Sequence, residues 1–257
     1  MRTGIVLLGI LSSALLCASA FAAHPLTSDD TGTQGKGKFQ LELNGEYGYD
    51  KEKVAGITTI GKSFETLFAL SYGIADEIDA IFGVPFLSWS VKENGFSADE
   101  SGISDLSLEL KWRFFEKEKI SIALKPGLTF PTGDEDKGLG TGKVTYTLFL
   151  IVSTEIEPFT LHLNLGYCQN ENKLGERESL WSLSLATEKE ITDNLKIVAD
   201  IGAERNADRA SNTHPAFAII GVIYSLSEVF DIDVGVKAGL TKPETNYALL
   251  AGIAYRF

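Results

Sequence analysis

Asn246-Tyr247-Ala248-Leu249-Leu250-Ala251-Gly252-Ile253-Ala254-Tyr255-Arg256-Phe257 is the stretch on which the reading of this chain turns. Successive side chains of an extended strand point to opposite faces. Tyr247, Leu249, Ala251, Ile253, Tyr255 and Phe257 therefore share one face. Small or polar Ala248, Gly252, Ala254 and Arg256 share the other with Leu250. So apolar a stripe, running to an aromatic residue with no polar tail, has two readings. Either it is the buried last strand of a soluble β-sandwich, or its apolar face looks at lipid.

The segments upstream repeat the pattern. From residue 37 onward, period-2 stretches recur with turn signals between them. Leu106, Leu108, Leu110, Trp112 and Phe114 alternate with Asp105, Ser107, Glu109, Lys111 and Arg113. Leu161, Leu163, Leu165 and Tyr167 alternate with His162 and Asn164. The pattern predicts about twelve strands, most of them long enough to cross a bilayer when tilted. Their connections sort by parity. Polar loops at 50–56, 93–102, 131–142, 169–177 and 206–213 follow odd strands. Tight turns at Ala75-Asp76-Glu77, Glu116-Lys117-Glu118, Glu157-Pro158, Thr192-Asp193 and Ser227-Glu228 follow even ones. Short turns at one end and long loops at the other are the habit of outer-membrane barrels, whereas a sandwich has no reason to sort its loops. The expected fold is all-β, an antiparallel transmembrane up-and-down β-barrel. Pro85 interrupts the third strand and predicts a bulge there.

The start of the chain agrees. Arg2 precedes the apolar run Ile5 to Leu16, and Ala18-Ser19-Ala20 and Ala20-Phe21-Ala22 offer small-residue cleavage sites. Residues 1–22 read as a secretory signal peptide. Cys17 also offers a lipoprotein anchor, but Leu16 before it is too large for the usual small residue there. If Cys17 leaves with the signal, Cys168 is the one cysteine of the mature chain and an intramolecular disulfide is not expected. Residues 23–36 are polar and aperiodic, a flexible periplasmic lead-in or a segment folded into the lumen. Residues 37–257 form the barrel. A formal charge of -12 excludes nucleic acid as a partner.

Charged side chains facing lipid are costly, so alternation assigns them to the lumen. The expected lumen-lining set is Glu42, Asp105, Glu109, Lys111, Arg113, Lys125, His162, Asn164, Glu188, Lys196, Asp200, Asp231, Asp233, Lys237 and Arg256. A tight hairpin sets its own register. Centring the turns on Lys117 and Thr192 puts Glu109 opposite Lys125 and Glu188 opposite Lys196. Folding the last hairpin about Pro243 and Glu244 brings Asp231 near Arg256. Paired charges predict a narrow, mixed-charge pore with weak charge selectivity. A catalytic reading needs nucleophile, base and orienter together. Ser182 or Ser184 on the next strand approaches His162, but a polar lumen residue is the plainer account. Cys168 has no partner at metal-ligand spacing, and Asp134-Glu135-Asp136 lacks the rest of a calcium loop. No metal and no cofactor are expected.

Two resemblances sharpen this. Gly252, Tyr255 and Phe257 resemble the C-terminal Gly-x-x-aromatic-x-aromatic signal by which outer-membrane barrels are recognised by the barrel-assembly machinery. Leu26-Thr27-Ser28-Asp29-Asp30-Thr31-Gly32-Thr33, Gly35-Lys36-Gly37-Lys38-Phe39, Asp105-Leu106-Ser107-Leu108-Glu109-Leu110-Lys111-Trp112 and Pro131-Thr132-Gly133-Asp134 are similar to motifs of an outer-membrane transporter family associated with meta-pathway phenol degradation. The resemblance spans most of residues 26–257. It implies a channel in the bacterial outer membrane, bathed in outer-membrane lipid, that passes small aromatic or hydrophobic compounds. The residues themselves do not name the substrate. The alternatives are a non-conducting structural or adhesion barrel and a barrel lipid hydrolase.

Overall fold

A computed structural model describes residues 24–54 and 56–257. The expected signal peptide, Cys17 included, lies outside the described residues; Cys168 is disulfide-bonded, which corrects the expectation of a fold without a disulfide. Among the described residues thirteen strand segments follow one another: β1 (Phe39–Val54), β2 (Ile57–Ala75), β3 (Ile78–Glu93), β4 (Phe96–Ile103), β5 (Leu106–Lys117), β6 (Ile120–Phe130), β7 (Thr145–Ile156), β8 (Phe159–Gln169), β9 (Ser179–Thr192), β10 (Leu195–Glu204), β11 (Ala216–Ser227), β12 (Phe230–Gly239) and β13 (Tyr247–Arg256). β4 and β5 are two lengths of one barrel strand, parted at Ser104-Asp105. β3 pairs with β4 through Phe86↔Ile103 and with β5 from Gly83↔Ser107 downward. The break faces Pro85, whose carbonyl accepts from Ser104 N–H at 2.9 Å. The barrel is thus a closed antiparallel ring of twelve strands, β1 pairing with both β2 and β13. At the seam Phe39 and Phe257 exchange backbone hydrogen bonds of 2.8 and 3.0 Å.

The alternation explains both surfaces. Along β13 Tyr247, Leu249, Ala251, Ile253 and Tyr255 point out, while Ala248, Leu250 and Gly252 are buried inside. The outward pattern continues round the wall, with Ile220, Val234 and Leu249 at 63%, 55% and 54% exposure. Soluble monomers keep exposed apolar patches to a few hundred Å², so a belt encircling the molecule needs hydrocarbon beside it. Phe39, Tyr72, Tyr255 and Phe257 cluster at the tight-turn end of the seam, with Phe39 and Phe257 stacked at 5.4 Å.

Two expected loops are strand instead. β1 and β2 run to Val54 and from Ile57, and β3 and β4 run to Glu93 and from Phe96. Hairpins that rise above the lipid need no apolar face, so their polar composition reads as loop. Asn94-Gly95 and Gly56 supply the left-handed backbone of the turns, with φ of 45°, 84° and 86°.

All three expected charge pairings are out of register by two residues. Glu109 faces Gly127, Glu188 faces Val198, and Asp231 faces Ala254. The ladder around each pair is centred one residue away from its expected place, and in the first two hairpins a register irregularity moves the turn itself a further half residue. Moving a centre by one shifts the register by two, which leaves every side chain on its face. The pairs form all the same, diagonally: Lys125 to Glu109 at 3.7 Å, Lys196 to Glu188 at 3.1 Å and Arg256 to Asp231 at 2.7 Å. Diagonal neighbours lie within reach of long side chains.

Candidate functional site

The lumen is not an open tube. Residues 24–36 run inside the barrel, which corrects the expectation of a flexible periplasmic lead-in in favour of its alternative. The segment enters beside the β2–β3 turn. Lys36 N–H donates to Asp76 at 3.0 Å, the Thr33 hydroxyl to the Asp76 carbonyl at 2.7 Å, and Gln34 N–H to Asp79 at 3.0 Å. Thr31 N–H donates to Ser153 at 3.1 Å, and the Thr31 hydroxyl bonds Ser121. The Asp29 carboxylate lies between two lysines, 2.8 Å from Lys111 Nζ and 2.7 Å from Lys125 Nζ. Asn164 clamps the Asp29 backbone, accepting its N–H at 3.0 Å and donating to its carbonyl at 2.7 Å. Asp200 accepts from Thr27 N–H, Ser28 N–H and the Ser28 hydroxyl at 2.8, 2.7 and 2.9 Å. Leu26 packs against Ala186, Val198 and Ile223. Pro25 sits where Gly221 and Gly235 face each other across β11 and β12; a Cβ on Gly221 would come within 2.5 Å of its ring. His24 Nδ1 meets Asp233 at 2.5 Å. The segment therefore touches most of the wall in turn and crosses the lumen.

Its hold is physically coherent. A chain inside a barrel must satisfy its backbone from the wall, because it has no ladder of its own. Asn164, Asp200, Ser153 and Asp79 do this. Facing glycines give the proline room, and buried carboxylate and ammonium groups neutralise each other.

Of the residues expected in the lumen, Lys111, Lys125, Asn164, Asp200 and Asp233 hold the segment directly. Glu109 is buried beside Lys125, its Oε2 without a hydrogen-bond partner. Glu42 is buried, and Arg113 reaches Glu116 at 3.2 Å. His162 bonds Ser153 through Nδ1 at 2.8 Å and lies 3.7 Å from Glu188. The serine beside it is thus neither Ser182 nor Ser184, and its hydroxyl already accepts Thr31 N–H. Asp105 is a loop anchor. It accepts from Gly133 N–H, Thr141 N–H and the Thr141 hydroxyl at 2.8–2.9 Å, drawing the 131–144 loop inward. The same loop is tied outward by the Glu135–Lys173 bridge, which holds the Glu135 carboxyl below its usual range. Lys237 reaches Glu46 at 2.6 Å and Glu244 at 3.8 Å. Glu244 sits outside the strands, and burial pushes its carboxyl up while Lys237 opposes the shift.

Sequence reasoning missed the residues of the segment itself, Asp29 above all, and Ser153, Ser121 and Glu46 of the wall. Alternation carried the signal for the wall residues. The segment has no period, so only its polar, Gly-containing composition hinted at an unusual setting.

Between the segment and the tight-turn end lies a chamber of about 1320 Å³. His162, Glu188, Lys196, Asp231 and Arg256 are among its lining residues, so both signs of charge face it.

A closed barrel with a lipid-facing apolar belt, a polar interior and an internal segment across the lumen defines a bacterial outer-membrane β-barrel. More narrowly, the chain belongs to the family described as "Putative MetA-pathway of phenol degradation", whose profile matches residues 28–257. Its fold is similar to that of the COG4313 outer membrane channel from Pseudomonas putida F1, at 14% identity and TM-score 0.68, over 89% of this chain and 98% of that one. The NanC porin is similar at 10% identity and TM-score 0.54, over 84% and 98%. The translocator domain of the autotransporter NalP from Neisseria meningitidis is similar at 12% identity and TM-score 0.55, over 87% and 89%. At these identities the likeness is one of fold. No curated protein sequence matches the chain.

Proposed function

We propose that the chain is an outer-membrane channel for small molecules, held in a closed state by residues 24–36. The observation that carries this reading is the lumen: its wall is polar, and one polar segment fills it rather than an apolar core. Water replaces hydrogen bonds and ion pairs on displacement far more cheaply than it replaces packed apolar surface, so such a segment is suited to moving. The family's description supports small aromatic compounds as cargo, and channels and porins with this fold support conduction. The wall's alternating charges support weak selectivity. Phe257 and its seam partners support a role for Gly252, Tyr255 and Phe257 in assembly, with the barrel-assembly machinery as the partner.

The test is reconstitution. In planar bilayers the unmodified protein should show small, weakly selective conductance, and a variant lacking residues 25–33 should show a larger one. In liposomes phenol should enter faster through the shortened variant. If both proteins are silent to ions and to phenol, the non-conducting barrel takes the place of this reading.

A further inference from the structure

Lys111 and Lys125 stand on neighbouring strands. The β5–β6 ladder pairs Glu109 with Gly127 and Trp112 with Leu124, and that register carried across the intervening residues sets the two lysines abreast. Like charges directly across a sheet destabilise it, the more so when buried. Lys125 is fully buried and Lys111 nearly so, at 0% and 7% exposure. Glu109, 3.7 Å from Lys125, offsets only part of this charge. Asp79 of the wall stands opposite Lys111 on β3 and takes up Gln34 N–H; the anion that joins the two lysines comes from the segment. Asp29 gives one carboxylate oxygen to each ammonium while Asn164 holds its backbone. Asp30 adds a longer contact of 3.7 Å to Lys111.

A fixed pair of ammoniums, filled by a carboxylate on a separate segment, is a receptor with its ligand in place. We propose that Lys111 and Lys125 form a carboxylate-binding site in the channel wall, that Asp29 occupies it in the closed state with its backbone held by Asn164, and that carboxylate-bearing solutes take it when residues 28–30 leave. The last clause rests on the channel reading above. With the segment gone, the two ammoniums keep the spacing that one carboxylate bridges, which suits a monocarboxylate. A tethered carboxylate competes at an effective concentration on the order of millimolar or above. A bare small carboxylate therefore does not dislodge Asp29, and a solute that does so needs further contacts in the adjoining chamber.

The probe is sodium acetate against sodium chloride at equal ionic strength, on the full chain in detergent. Asp29→Ala vacates the site. Acetate should raise its thermal midpoint saturably where chloride does not, since a ligand that binds the folded state stabilises it. The unmodified protein should respond equally to both salts, and Asp29→Ala/Lys125→Met should lose the acetate response. Acetate no better than chloride on Asp29→Ala, or an undiminished response in the double variant, overturns the site. Should Asp29→Ala assemble poorly, refolding yield becomes the readout: acetate should restore it, and equal yields in the two salts overturn the site. Conductance is measured separately. A protein silent in bilayers defeats the channel reading, while acetate-dependent stabilisation would still stand.

Discussion

Lys125 is a buried cation whose carboxylate partner lies 96 residues away in sequence, and its ammonium also rests 5.4 Å from the Phe149 ring. Lys125→Glu replaces it with a third carboxylate beside Asp29 and Glu109. Breaking a buried pair in this way costs about 3–5 kcal/mol. The expected result is a lower urea midpoint, with larger and more cation-preferring conductance; a variant matching the parent in both would contradict the arrangement. Lys125→Met removes the charge without reversing it and should fall between the two. Gly221→Val acts on the other end of the segment. Its first side-chain carbon would come within 2.5 Å of Pro25 and 2.8 Å of the Val234 carbonyl, so the segment should be displaced and the β11–β12 pair should shift locally. Limited proteolysis should then cut within residues 24–36 while the barrel keeps its heat-modifiable migration. Cleavage no faster than in the parent would mean that the notch does not seat the proline.

Among the elements, β13 and the internal segment differ in what they hold together. β13 closes the ring on β1 through ten register pairs from Tyr49↔Tyr247 to Gln40↔Arg256, and no open edge is tolerated in lipid. Deleting Tyr255 to Phe257 should therefore cut membrane assembly far more than deleting residues 25–33, as read by the heat-modifiable fraction in outer-membrane preparations. Equal assembly of the two truncations would count against the seam. This contrast also marks what the sequence discloses. β13 was legible because lipid outside and polar space inside impose a period of two on its residues. The end of β1 and nearly all of β4 were read as loop because above the lipid that constraint lapses, although Asn94-Gly95 carried the hairpin signal. Ladder centres were missed by one residue because apolar patterning fixes parity and leaves the turn length free. The path of residues 24–36 was illegible for a further reason: its partners, among them Lys111, Asn164 and Asp200, are set by the closed shape of the wall, which no local pattern records.

At the scale of the whole molecule, the apolar belt requires that extraction take detergent and that unheated samples migrate differently from boiled ones on gels; release as a soluble periplasmic protein would refute the barrel in lipid. The twelve-stranded ring was foreseeable because loop parity and alternation pointed the same way. The obstructed interior was foreseeable only as one of two alternatives. That interior has a consequence for the order of events in biogenesis. The segment precedes every strand in the chain, yet its contacts extend to Asp233 on β12, 209 residues from His24. It cannot lodge until nearly all of the wall exists, so a part synthesised before every strand is among the last to settle. Newly closed barrels should pass through a leaky interval before the segment docks. Refolding into dye-loaded vesicles should show a transient efflux that stops by itself, and in the variant lacking residues 25–33 that efflux should persist.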